Sequence, residues 1–383
     1  MLHQPTPDAA PCLKQVELNT IACSFVSLSA KICELHRELL LRYVHHPKAP
    51  HADALKRLAP IAAAISEPEA RLPENSCVDD VAAAVALAHS EYTRLGLKAT
   101  PAAGPAAVPV VVLMIVQPGE TNATDQRGIE QRLWRSPHRV PLRRVTLGDV
   151  GRLGTVVGTQ RRLRLGGMEA SVVYFRAGYT PSDYAGEDEW RGRELIERSF
   201  AIKCPSVAAH LAGTKKVQQV LAQRDELARF VSPDHAAMLR SCFVGLYGLD
   251  ERGGNDVDDA VAQALGSPGE FVLKPQREGG GHNLFGDEVR QELERLTPAE
   301  RSAYILMDRI RPPASPATLM REGEVVAGDC ICELGVFGVF LGDGRRTLLN
   351  ASAGHLLRAK LASEDEGGVC AGFAVLTSPA LYL

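Results

Sequence analysis

Apolar positions along the chain change period from segment to segment. Val108 to Val116 form an unbroken apolar run, too short to span a bilayer and the right length for a buried strand. Residues 13–21 alternate, with Val16 and Leu18 on one side and Glu17 and Asn19 on the other, which predicts a half-buried strand. Ser24 then stands where it can cap a helix with an apolar stripe of Phe25, Leu28, Ile32, Leu35 and Leu39. Residues 79–95 predict a helix ended by Gly96, and the Ala/Pro/Gly-rich stretch 99–107 marks a boundary. Beyond it, the run at 108–116, a helix near 126–135 and a strand ending at Arg176 suggest a small α/β unit.

The polar stretch from Ser182 to Gly192 fits no period. Residues 193–203 predict a helix, and a second helical stretch follows AGTKK (212–216). Residues 271–276 read as a strand running into a glycine-rich loop. Thr297 and Glu300 form a capping box with Pro298 at the first helical position. Residues 304–310 predict a strand. Residues 325–341 are strand-rich and lead to a hairpin turn at Asp343-Gly344.

Composition narrows the class. The 383 residues suffice for two or three packed domains, and 45 % hydrophobic with 23 % charged residues is ordinary for a soluble globular chain. A formal net charge of -3 supplies no overall basic field, so neither nucleic acid nor a membrane is an expected partner. Nine cysteines without a CxxC pair fit neither a zinc site nor a disulfide framework, and they read as free thiols of a reducing cytosol. The N-terminus lacks the basic start and apolar core of a secretory signal.

Three clusters carry candidate chemistry. In Lys274 to Gly286, three consecutive glycines follow a strand, so backbone N–H groups can approach phosphates with no side chain in the way. Lys274 and Arg277 add positive charge, and Glu278 is a hard oxygen ligand of the kind Mg²⁺ takes. The segment matches neither GxxxxGK[ST] nor GxGxxG, and a flexible surface turn is the plainer alternative. On an extended segment, Glu17 and Asn19 would present a carboxylate and an amide oxygen on one face, where Mg²⁺ bound to phosphate could sit; a solvent face is the alternative. Arg358 and Lys360, two apart, would point the same way. Arg suits a bidentate grip on a carboxylate and Lys a phosphate, against the alternative of a basic edge strand.

Taken together, ELNTI (17–21), YFRAGY (174–179), AGTKKVQQ (212–219), KPQREGGG (274–281), ELGVFGVF (333–340), GHLLRAK (354–360) and GGVCAG (367–372) resemble the eukaryotic-type glutathione synthetases, in that family's order. The resemblance runs from about Leu13 to near the C-terminus. It implies an ATP-grasp fold of the α/β (α+β) class with an inserted small α/β substrate-binding domain. Residues 1–107 would form a truncated N-terminal part of the ATP-grasp body, 108–212 the substrate-binding domain, and 213–383 the ATP-grasp domain with its glycine-rich loops and lid. Family members carry a long N-terminal part before the ELNTI strand, including a substrate-contacting arginine, so the chain is expected to lack that part.

The resemblance also implies roles, position by position. Glu17, Asn19 and Glu278 look like the magnesium ligands, with Glu17 also among the ATP-site positions. Lys215 and Lys274 resemble the lysines on nucleotide phosphates. Pro275, Gln276, Arg277, Glu278, Gly279, Gly280, Gly281, His282 and Asn283 match the ATP loop, with His282 in place of the usual Asn and Phe285 where the family has Tyr. Met307, Asp308, Arg309 and Ile310 resemble the adenine-lining segment, and Glu333, Lys360 and Glu366 match further nucleotide positions. Dipeptide positions are matched by Ile21, Ala22, Cys23 and Ser24, by Glu120, Thr121, Asn122 and Gln126, and by Arg176, Ala177, Gly178, Tyr179 and Arg358. Val369 and Cys370 match the pair that borders substrate in the terminal loop, Cys370 replacing the usual Ala. Arg358 and Lys360 are the expected catalytic pair.

On this resemblance the activity expected is that of a cytoplasmic, homodimeric ligase. It would use ATP and Mg²⁺ to join γ-glutamylcysteine to glycine through an acyl phosphate. An inactive homologue serving as a nucleotide-binding or dimer-partner module, and a ligase for another amine such as β-alanine or serine, are the alternatives.

Overall fold

The computed structural model describes residues 1–6, 8–45, 72–95, 108–223, 225–249, 255–277, 281–369 and 372–381. The expectations placed on Gly96, the 99–107 stretch, Glu278, Gly279, Gly280 and Cys370 lie outside these residues.

The chain begins with a short antiparallel ladder of β1 (Leu2–His3) and β2 (Cys12–Leu13). The strand expected over 13–21 stops at Leu13. The backbone beyond it is satisfied elsewhere: Lys14 N–H donates to Met1 O, Gln15 N–H to Cys242 O, and Leu18 exchanges both its groups with the side-chain amide of Gln218. A side chain thus takes the place of a neighbouring strand.

Two helices follow, α1 (Val26–His45) and α2 (Cys77–Arg94). Ser24 does not cap α1. Phe25 adopts φ 72°, and the helix N-terminus meets the buried carboxylate of Asp125, which accepts from the N–H groups of Phe25 and Ser27 (both 2.8 Å) and Leu28 (3.2 Å). The expected stripe is also displaced. Val26, Ala30 and Cys33 are buried, whereas Leu35 and Leu39 are exposed. Small residues face inward because α1 passes very close to Gly128, where a Cβ would fall 1.8 Å from Ser27 Oγ.

The apolar run becomes β3 (Val110–Ile115), followed by α3 (Ala123–Arg135), β4 (Leu142–Val145), α4 (Leu147–Leu153), β5 (Gly154–Val157), β6 (Arg162–Leu165) and β7 (Met168–Phe175). Ser182 to Gly192 folds as a 3₁₀ turn and then the first half of α5 (Glu187–Arg198). The helix expected to reach residue 203 instead ends at Arg198, and β8 (Ile202–Cys204) pairs in parallel with β7. The sheet order is β4-β3-β7-β6-β5, with β8 also on β7.

Both faces of this sheet are covered, which is why its central strands are apolar without alternation. Val112, Met114, Val172 and Tyr174 pack with Val81 and Val85 of α2 and with Ile129 and Leu133 of α3. Leu113, Ile115, Val173 and Phe175 pack with Leu147 and Val150 of α4 and Ile196 of α5. Helices α4 and α5 cross closely through paired glycines: a Cβ at Gly192 would lie 2.2 Å from Leu147 O, and one at Gly151 2.0 Å from Asp188 O.

The rest of the described chain builds two antiparallel sheets. After α6 (Lys215–Ala222), the strands β9 (Leu246–Gly248), β10 (Phe271–Pro275), β11 (Leu284–Phe285) and β12 (Tyr304–Asp308) lie in the order β11-β10-β12-β9. One face buries Phe271, Leu273 and Leu306 against α7 (Asn255–Gly266) and α8 (Asp287–Arg295). By strand alternation Lys274 points to the other face. Thr297 and Glu300 form the expected capping box. The last sheet is a meander of β13 (Ser315–Arg321), β14 (Glu324–Gly342), β15 (Thr347–Leu361) and β16 (Val375–Thr377). At the far end of the long hairpin, Phe337, Val339 and Leu341 pack against the core that holds α2. The mixed α/β class expected from the sequence is the one observed. Among the described residues no helix is long and apolar enough to cross a membrane.

Three stability changes follow from this packing. Asp125→Ala leaves the N–H groups of Phe25, Ser27 and Leu28 without their acceptor and the buried Arg176 guanidinium without its nearby countercharge, and should lower the free energy of unfolding by about 3–5 kcal/mol, read from urea denaturation. Gly192→Ala drives a methyl into a helix backbone and should cost about 1–3 kcal/mol. Gly266→Ala, at a site with open space around the new methyl, should be neutral or stabilising by up to about 1 kcal/mol.

Candidate active site

Two buried lysines, one from each antiparallel sheet, define the centre of the site. Lys274 on β10 and Lys360 on β15 are each 8 % exposed. Burial pushes the Lys274 ammonium below the ordinary lysine value, and Lys215 acts in the same direction; Glu17, Glu333 and Glu366 oppose them. Burial likewise lowers Lys360, against the opposing charges of Asp365, Glu333 and Glu366. The two ammonium groups therefore share the fields of Glu333 and Glu366. Lys360 Nζ donates to the carbonyls of Asp365 (2.5 Å) and Glu366 (3.2 Å).

Register sets the neighbouring side chains. Glu333 pairs with Arg358 and Ile331 with Lys360 across β14 and β15. Ile331, Glu333, Arg358, Lys360, Gly367 and Ala374 line one cleft. Arg358 and Lys360 share a face, as their spacing predicts, on a strand paired along both edges, so the edge-strand alternative is excluded. Arg358 is ion-paired with Glu333. On the opposite side, Asn19 Nδ2 donates to Glu17 Oε1 at 2.9 Å, so carboxylate and amide stand together although no strand holds them. Their position follows from the Gln218 clasp on Leu18 and from Gly213, where a Cβ would lie 2.2 Å from Thr20 Oγ1. Exposed and adjacent, these hard oxygens suit a divalent ion that keeps water and phosphate ligands.

Described residues that flank the glycine-rich stretches are tied to one another. Lys215 Nζ donates to Arg277 O at 2.8 Å, which ties the start of α6 to the strand leaving Lys274, Pro275 and Gln276. Gly281 is left-handed, with φ 86°. His282 is exposed, and Asn283 N–H donates to Glu366 Oε1 at 3.1 Å, which joins the first loop to the second. Arg309 adds a further link: its guanidinium stands 5.6 Å from the Phe285 ring centroid and donates to Asp365 at 2.7 Å. Met307 is buried, Asp308 accepts from Gly245 N–H at 2.8 Å, and Ile310 is half-buried. Val369 lies in the second loop, where its carbonyl accepts from Gly372 N–H.

A second polar group sits at the other end of the 17–25 segment. Arg176, 4 % exposed, donates to Ala22 O (2.8 Å) and Ser24 Oγ (2.6 Å), and lies 3.7 Å from Asp125. Ile21 and Cys23 flank Ala22 and are half-buried. Glu120 accepts from Asn122 N–H at 2.7 Å and from Gln126 Nε2 at 2.8 Å, and Gln126 Oε1 accepts from Arg144 Nε at 3.0 Å. Thr121 is exposed between these partners. The turn Ala177, Gly178 and Tyr179 continues from Arg176 at the end of β7 and is held by Asp183.

Several organising residues were not anticipated. Asp125 and Gln218 act across about a hundred and two hundred residues of chain, beyond the reach of local pattern. Asp365 and Arg144 carry no motif. Asp183 did have a signal: Thr180-Pro181-Ser182-Asp183 is a second capping box with Pro in the first turn, of the same form as Thr297 to Glu300.

Comparison with known proteins gives the family. The profile of the eukaryotic glutathione synthase ATP-binding domain matches residues 1–381. The chain is 42 % identical over 375 residues to the chloroplastic glutathione synthetase of Arabidopsis thaliana, covering 97 % of this chain and 62 % of that protein. It is 39 % identical over 383 residues to the glutathione synthetase of Homo sapiens, covering 99 % of this chain and 72 % of that one. It thus spans about three-fifths of the length of the plant relative. A glutathione synthetase-like effector from Globodera pallida, solved in its apo form, shares the fold with a TM-score of 0.69 at 21 % identity, over all of this chain and 74 % of the effector. With a profile that runs through both glycine-rich loops and both lysine-bearing sheets, the chain belongs to the eukaryotic glutathione synthase family.

Proposed function

We propose that the chain forms the catalytic body of a glutathione synthetase, joining γ-glutamylcysteine to glycine with conversion of ATP to ADP and phosphate. The observation that carries this reading is the shared electrostatic site of Lys274 and Lys360. Two buried ammonium groups stand on different sheets, each with its burial opposed by the charges of Glu333 and Glu366, a setting that an anionic phosphate would stabilise. Residues 213–383 would hold nucleotide, 108–212 would bind the dipeptide, and the segment within 1–107 that carries Glu17 to Ser24 would link the two.

Mg²⁺ would be held by Glu17 and Asn19, with Glu278 as the third ligand, and when bound it supplies charge neutralisation to the phosphates. The cysteinyl carboxylate of the dipeptide attacks the γ-phosphorus, ADP leaves, and the glycine amine displaces phosphate from the acyl phosphate. The substrates bring both nucleophiles, so the protein's work is position and charge. Lys274 and Lys215 would bind nucleotide phosphate. Lys360 would follow the transferred phosphoryl group. Arg358, now paired with Glu333, would exchange that carboxylate for the substrate's. The loops joined through Asn283, Glu366 and Arg309 would exclude water from the acyl phosphate.

Incubation of the chain with ATP, Mg²⁺, γ-glutamylcysteine and glycine should release glutathione and phosphate in equal amounts. Lys274→Met should lower kcat by about 10²–10³-fold. A folded, ATP-binding chain that yields no tripeptide would overturn the reading.

The lowered lysine values give a second expectation. In the free protein Lys274 and Lys360 begin to lose their protons below the ordinary lysine range, and bound phosphate draws protons back. ATP binding at alkaline pH should therefore take up protons, and affinity should fall as pH rises through the lowered values. Titration calorimetry in two buffers of different ionisation heat measures the uptake, and Lys274→Met should reduce it.

A further inference from the structure

The turn that follows β7 is fixed from both sides of a single peptide. One carboxylate oxygen, Asp183 Oδ2, accepts the consecutive N–H groups of Gly178 (3.0 Å), Tyr179 (3.1 Å) and Thr180 (3.0 Å), and the Thr180 hydroxyl as well. From the other side, Gly178 O accepts the Tyr184 hydroxyl at 2.8 Å and Arg193 Nη1 at 3.1 Å. Gly178 takes φ 94°, so the turn requires glycine, and a Cβ there would lie 3.2 Å from Leu147 Cδ1 and 3.4 Å from the Tyr184 oxygen.

The groups that hold Gly178 are themselves held. The Arg193 guanidinium lies 4.5 Å from the Phe175 ring centroid and its Nε donates to Glu197, one turn further along α5. The Tyr184 ring stacks on Trp190 with centroids 4.1 Å apart. Burial raises the Tyr184 phenol above its ordinary value, so its hydroxyl stays protonated and able to donate. None of these residues belongs to the lysine-centred cleft. The turn they fix carries Arg176, which holds Ala22 and Ser24, and Tyr179.

We propose that Asp183, with Tyr184 and Arg193, positions the 176–180 turn for recognition of the dipeptide, and sets affinity for that substrate while leaving nucleotide binding untouched. This rests on the reading of Arg176 and Tyr179 as dipeptide contacts. The residues act through the turn, so each is a positioning residue. A turn whose three N–H groups lose a common acceptor can shift by a fraction of an ångström, enough to misplace a substrate contact.

The test uses the full chain carrying Trp134→Phe. Trp134 is exposed in the last turn of α3, and the substitution leaves Trp190 as the single tryptophan. γ-Glutamylcysteine alone should shift Trp190 emission, because Tyr184 is stacked on it, and ATP alone should not. In this background Asp183→Ala should raise the dipeptide KM about 10–100-fold, with the ATP KM changed less than about twofold. Asp183→Asn, which keeps one acceptor oxygen, should recover most of the loss. Tyr184→Phe, which keeps the stack and removes one hydrogen bond, should raise the dipeptide KM about 3–10-fold and decides the matter should Asp183→Ala not fold. Unchanged dipeptide KM in Tyr184→Phe, or equal losses for ATP and dipeptide, would overturn the positioning role while wild type still uses the dipeptide. A wild-type chain that binds ATP and gives no response to the dipeptide would overturn the dipeptide reading, and the positioning role with it.

Discussion

The buried carboxylate of Asp125 joins the start of α1 to Arg176, and the polar architecture of the chain is organised around that junction. A carboxylate removed from water costs several kcal/mol unless charge and N–H donors replace its hydration. Here the donors are helix N-terminal amides, which carry positive potential, and the nearby cation is a guanidinium already committed to Ala22 and Ser24. The 17–25 segment is thereby fixed at its C-terminal end, while the Gln218 clasp on Leu18 fixes its start. Glu17 and Asn19 flank the clasped residue and take their places from it.

A different device buries the two lysines, each on its own sheet. Lys274 sits on the face of β10 opposite the helices, and Lys360 sits on a long hairpin anchored at its far end against α2. The hairpin acts as an arm: Phe337, Val339 and Leu341 secure it in apolar core, and its nearer half delivers Glu333, Arg358 and Lys360 to the cleft. Glu333 and Glu366 oppose the cost of desolvating the two cations but do not cancel it.

Much of this was legible in the sequence. The continuous apolar run at 108–116 told of a strand covered on both faces, and the Thr297 capping box located its helix. The glycine loop, ELNTI and GHLLRAK pointed to the residues that the fold gathers. What failed was long-range. Val16 to Asn19 have the alternation of a strand, but a glutamine two hundred residues later satisfies the backbone instead. Ser24 is a sound local cap, yet a buried aspartate from α3 does that work and leaves Ser24 to Arg176. The buried face of α1 was misread because close approach at Gly128 selects small residues over leucines. Ser182 to Gly192 has no period because its side chains serve a turn instead of a core.

The bond between Asn283 and Glu366, together with the bridge of Arg309 to Phe285 and Asp365, couples two segments more than eighty residues apart in the chain. Neither can swing outward without rupturing a contact to the other. If nucleotide enters there, as proposed, its admission and the departure of the diphosphate would share one latch, and a lesion in either segment would be felt as a fault in both.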